Sequence, residues 1–176
     1  MKLLNTIITA TVVGTSLIAA LPPLGLSNLK DNPIQNLVAI SGNCVGNFIL
    51  YDKLLPTPQC ESLLNTGYKD GRTGFYFSTD KYIVTFSGIS PQVSTSKNSV
   101  VQPIDLLLIS DTQKSNTSQA TKLIAAGTCS FANPYMGIRI FIQCDVETSK
   151  GRFAATFESN ASEPKILIRG GDSISQ

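Results

Sequence analysis

The chain has 176 residues, 14 Lys+Arg against 12 Asp+Glu, four cysteines and no histidine. A balance this close to neutral gives no electrostatic footprint for nucleic acid, and no Lys/Arg cluster marks a surface for anionic lipid. Without histidine there is no Ser-His-Asp triad, no Cys-His pair and no histidine metal site.

Residues 1–20 have the form of a secretory signal peptide. Lys2 supplies a minimal positive start, and Leu3 to Ala20 is apolar and small, with no acidic residue. Ile18-Ala19-Ala20 and Gly25-Leu26-Ser27 offer small-residue cleavage sites. The alternative is an uncleaved anchor, against which stand the scattered threonines and the missing flanking charge. Removing residues 1–20 takes away Lys2, which leaves 13 Lys+Arg against 12 Asp+Glu, a net charge of +1. The expectation is an exported protein, periplasmic or extracellular, without stable membrane insertion after cleavage. Residues 21–41 are weakly patterned and read as a linker or partly ordered extension. Residues 42–176 then form one domain, long enough to bury a core of its own.

Gly46 to Tyr51 is a short apolar strand candidate. Pro56 and Pro58 break the chain, and Glu61 to Leu64 is expected to make one helical turn tethered by Cys60. Lys69-Asp70-Gly71-Arg72 is a turn signal. Thr73–Ser78 and Tyr82–Ser87 flank Thr79-Asp80-Lys81 as a hairpin, with Phe75 and Phe77 on one face and Tyr82, Val84 and Phe86 on another. Ser90 to Ser99 is a polar loop. Val100 to Ile109 is apolar on both faces except at Gln102 and Asp105, and Pro103 argues for an edge or a bulge there. Ser110 to Ser118 is a second polar loop.

The longest patterned stretch is Gly127 to Glu147. Ile138, Ile140, Ile142, Cys144 and Val146 fall on one side of a strand, and Arg139, Gln143, Asp145 and Glu147 on the other. The incoming arm carries Ala125, Gly127, Cys129 and Phe131 on the cysteine side, and Asn133-Pro134 with Gly137 supplies the turn. Arg152–Ser159 and Lys165–Arg169 complete the strand candidates.

All four cysteines lie beyond the signal, and an even count in an exported chain favours disulfides over a zinc or redox site. Three pairings are possible. Cys129–Cys144 fits the hairpin, which leaves Cys44–Cys60; each closes a loop of about 15 residues. Seven or eight strands joined by short turns make an all-β fold, an antiparallel meander forming a small barrel or sandwich stapled by two disulfides.

Chemistry is sparse. No phosphate-cradling Gly-rich loop and no Gly-x-Ser-x-Gly is present. Asp145 and Glu147 alternate with buried positions, as solvated surface does, and Glu158 with Glu163 is the other acidic pair. Asp105 reads as an outward edge residue or as the partner of an arginine. Arg139 and Phe141 share an outer face, and Asn116-Thr117-Ser118 and Asn160-Ala161-Ser162 match the glycosylation sequon.

By parity, Phe75, Phe77, Phe86, Phe131, Ile138, Ile140, Ile142, Phe153 and Phe157 point inward. Phe75, Phe77, Phe86, Ile140, Phe153 and Phe157 are the candidate ligand-binding residues, expected to line either a filled core or an apolar pocket without a polar handle. The expected function is non-enzymatic binding of a small apolar ligand, with no cofactor and no metal. A structural or interaction module of the cell envelope is the alternative, and a carboxylate-based hydrolase the third choice.

Overall fold

The structure, a computed structural model, describes residues 34–89, 93–96, 98–113 and 120–169. Residues 1–20, expected as a signal peptide, residues 21–33 and Asn116-Thr117-Ser118 lie outside the described residues. Alternating apolar positions and frequent β-branched residues produce strands almost throughout. They are β1 (Ile34–Cys44), β2 (Phe48–Leu50), β3 (Lys53–Leu55), β4 (Ser62–Tyr68), β5 (Thr73–Ser78) and β6 (Tyr82–Gly88). Then follow β7 (Val93–Ser96), β8 (Ser99–Asp111), β9 (Thr121–Ala132), a 3-10 turn at Pro134–Met136, β10 (Phe141–Thr148), β11 (Gly151–Ser159) and β12 (Lys165–Ile168).

All belong to one antiparallel sheet, ordered β12-β1-β4-β5-β6-β8-β9-β10-β11-β2-β3, with β7 beside β8. β1 also pairs with β11 through Gly42↔Ser159, Asn43↔Glu158 and Cys44↔Phe157. The strands β1, β4, β5, β6, β8, β9, β10 and β11 therefore follow one another around a partial ring. Gly42 permits that junction, since a Cβ there would lie 2.1 Å from the Glu158 carbonyl oxygen.

The inside of the ring is packed with phenylalanine. Phe75, Phe77, Phe86, Phe153 and Phe157 are all buried. Phe75 stands opposite Phe86 and Phe77 opposite Val84 in the β5–β6 ladder. Phe77 and Phe86 meet edge to face at 5.5 Å. Each fully buried phenylalanine contributes about 1.5–3 kcal/mol of transfer free energy.

Two disulfides join Cys44 to Cys60 and Cys129 to Cys144, as the sequence predicts. Cys129 and Cys144 are directly opposed in the β9–β10 ladder. Such a pair of bridges fits an oxidising compartment outside the cytosol. Among the described residues no helix is long and apolar enough to cross a membrane.

Several expectations need correction. The sheet begins at Ile34, so residues 34–41 are strand and not linker. β1 has weak alternation but three pairing partners, β4, β11 and β12, and backbone pairing decides its conformation. Glu61 to Leu64 makes no helical turn, because Ser62 opens β4, which pairs with both β1 and β5. Val93–Ser96 in the expected polar loop is strand β7. Ile138 is 51 % exposed, not inward, because β10 starts only at Phe141 and Ile138 lies in the bend before it, where strand parity does not apply.

Candidate ligand cavity

A cavity of about 480 Å³ lies inside the ring. Its walls come from neighbouring strands. Val38 of β1 stands opposite Asn65 of β4, and Asn65 opposite Phe75 of β5. Farther round, Val100 of β8 faces Phe131 of β9, and Phe131 faces Ile142 of β10. Phe75 and Phe131 approach to 5.2 Å between ring centroids although their strands are not neighbours, so they bridge the interior. Ile40 and Ile140 complete the apolar surface. The volume falls within the range of small-molecule sites, roughly 300–1,000 Å³.

The rim is polar. Asn98, Asn133, Pro134 and Tyr135 line it, and Tyr135 is 50 % exposed, which opens the cavity to solvent on that side. Asn133 Oδ1 accepts the Tyr135 backbone N–H at 3.0 Å and caps the 3-10 turn. Gly137 ends that turn at φ 66°, a left-handed conformation suited to glycine. Deeper in, Asn65 is half-buried on the inner face. Its Nδ2 donates to the Gly74 carbonyl at 3.2 Å. No lysine, arginine, aspartate, glutamate or cysteine lines the cavity among the described residues.

Of the six residues singled out in the sequence, Phe75 and Ile140 line this cavity. Phe77, Phe86, Phe153 and Phe157 fill the core beside it, and Phe153 packs edge-on against Tyr51 at 4.8 Å. The expectation of a pocket without polar groups is corrected: Asn65, Asn98, Asn133 and Tyr135 all contribute. Asn65 carries no signal in the sequence, where asparagine marks turns; its place opposite Val38 and Phe75 comes from the β4 register.

A second cleft, of about 420 Å³, lies beside the β5–β6 turn. Phe48, Leu55, Pro56, Thr57, Pro58, Gln59 and the turn residues Thr79 to Tyr82 line it. Here Lys81 sits 5.1 Å from the Tyr82 ring centroid.

The remaining candidates lie outside both cavities. Asp105 pairs with Arg72 through two hydrogen bonds of 2.7 and 3.3 Å, and Arg72 also reaches Ser87 Oγ at 3.4 Å. This matches the reading of Asp105 as an arginine partner. Tyr76 is hydrogen-bonded to Tyr68, and its hydroxyl pKa is raised, first by burial and then by that bond. Asp145 pairs with Arg152 at the surface, and the Arg152 hydrogen bond holds its carboxyl below the ordinary range. Arg139 lies 3.6 Å from Glu158, and Phe141 is 51 % exposed. Among the described residues no three of Cys, Asp and Glu gather as metal ligands do.

No family model, curated protein or solved structure matches this chain.

Proposed function

We propose that the protein is an exported, non-enzymatic binding protein whose strands close as a small barrel around an apolar ligand. The observation that carries this reading is the cavity of about 480 Å³ walled by Ile40, Phe75, Phe131, Ile140 and Ile142. Apolar walls with a few polar groups at an open rim are the usual form of a small-molecule site. Support for a non-catalytic role comes from the lining, which among the described residues offers no carboxylate, amine or thiol as acid, base or nucleophile. Export is supported by the signal-like residues 1–20 and by the disulfides.

The test is titration with the uncharged probe N-phenylnaphthylamine, whose fluorescence rises in apolar surroundings. Wild type should bind it saturably. Val100→Trp, which places an indole at the half-buried cavity wall, should bind it at least about tenfold more weakly while remaining folded. Failure of well-folded wild-type protein to bind would favour the second reading, an interaction module of the cell envelope. That reading draws on the exposed Tyr135, Met136, Ile138 and Phe141 beside the rim.

A further inference from the structure

Resting on the cavity reading, we propose that the site selects an uncharged amphiphile, a hydrocarbon body bearing one hydroxyl or amide group, over a fatty acid of the same length. The juxtaposition behind this is a half-buried asparagine set among apolar walls, with no charged group among the described lining residues. Asn65 stands between Val38 and Phe75 on the inner face, while the other polar lining residues, Asn98, Asn133 and Tyr135, are exposed.

One N–H of the Asn65 amide is held by the Gly74 carbonyl, which fixes the plane of the amide. A side-chain amide carries a second N–H and an acceptor oxygen. A hydroxyl or a primary amide can donate to that oxygen and accept from that N–H. A carboxylate has only acceptors, so it can answer the N–H alone. Its charge would also leave water for a surface whose described residues offer no cation, a transfer that costs far more than that of a neutral group. Arg139, whose neighbour Ile140 lines the wall, is mostly exposed and lies against Glu158, outside the cavity.

The experiment is displacement of N-phenylnaphthylamine by decanol, decanamide and decanoate near neutral pH. Decanol and decanamide should displace the probe at concentrations at least about tenfold lower than decanoate, beyond any difference in their partition into detergent-free octanol. Asn65→Leu should narrow the part of that ratio that exceeds octanol partition to within about threefold, since the cost of desolvating the charge is common to both proteins, and Asn65→Thr, which keeps a hydroxyl, should preserve it. Circular dichroism checks that both variants are folded. Decanoate binding as tightly as decanol to wild type, or an unchanged ratio in Asn65→Leu, would overturn the inference and leave the cavity reading in place. If neither the probe nor any of the three compounds binds, the cavity reading fails and takes this inference with it.

Discussion

Arg72 and Asp105 should be worth more to this fold than an ordinary surface ion pair. They connect the turn before β5 to the middle of β8, 33 residues away in sequence. The geometry is bidentate, and the side chains are 16 % and 26 % exposed. Fully exposed pairs contribute about 0–1 kcal/mol, whereas removing one partner of a buried pair costs about 3–5 kcal/mol. The observed exposure places Asp105→Ala between these limits, at about 2–3 kcal/mol, because it strands a guanidinium whose remaining side-chain partner among the described residues is Ser87, at 3.4 Å. Arg72→Ala should cost about 1–2 kcal/mol, since Asp105 is the more exposed partner. The double variant Arg72→Met/Asp105→Leu should recover most of the loss, because replacing both charges by apolar groups removes the stranded charge. Urea unfolding of the two alanine single variants, their double and the wild type gives the coupling energy directly, expected at about 1–2 kcal/mol. A coupling below about 0.5 kcal/mol would refute the reasoning and make the pair an ordinary surface contact.

Replacing Cys129 and Cys144 by alanine should cost about 2–5 kcal/mol in urea unfolding, and more than the Cys44/Cys60 replacement. Both bridges close loops of similar span, but Cys129 and Cys144 are the more deeply buried. Gly42→Val should loosen the β1–β11 junction, since a Cβ would meet the Glu158 backbone; faster exchange at the Val45 and Asn160 amides, which donate to the Thr156 and Ser41 carbonyls across it, with β5–β6 unchanged, is the expected signature. Asp145 has a lowered pKa, so its contribution is fully present above the ordinary carboxylate pKa and is lost as pH falls from there through the lowered one. The stability difference between wild type and Asp145→Asn should therefore shrink below about pH 4, and it should be small because both partners are near half exposed.

Much of the sheet was legible because its central hairpins obey a period of two. Phe75 and Phe77 on β5, Phe86 on β6 and Ile142, Cys144 and Val146 on β10 all face inward as parity predicts. Both disulfides followed from strand geometry and an even cysteine count. Pro103 was also informative. On one flank β8 pairs with β7 up to Val101 and with β6 from Leu106 onward, and Pro103, which has no N–H to donate, falls in the gap. The predicted irregularity lies just beyond it, as a register shift between Ile104 and Leu106.

What stayed hidden depends on contacts far apart in sequence. β1 and β4 are rich in Asn, Ser, Gly and Thr, and their extended form comes from pairing on both flanks rather than from local propensity. The cavity was hidden for the same reason. It is assembled from β1, β4, β5, β8, β9 and β10, and a parity argument places a side chain inside without showing how much space remains there. Asp105 announced a partner by its type, but nothing local named Arg72.

Methyl-labelled NMR of the protein, titrated with decanol, tests the cavity directly. The reading predicts saturable shifts at Val38, Ile40, Val100, Ile140 and Ile142, with ligand contacts to their methyl groups and no change at the exposed Ile124 and Ile166. Shifts confined to exposed residues such as Ile138, Ile124 and Ile166, or none at saturating decanol, would contradict it.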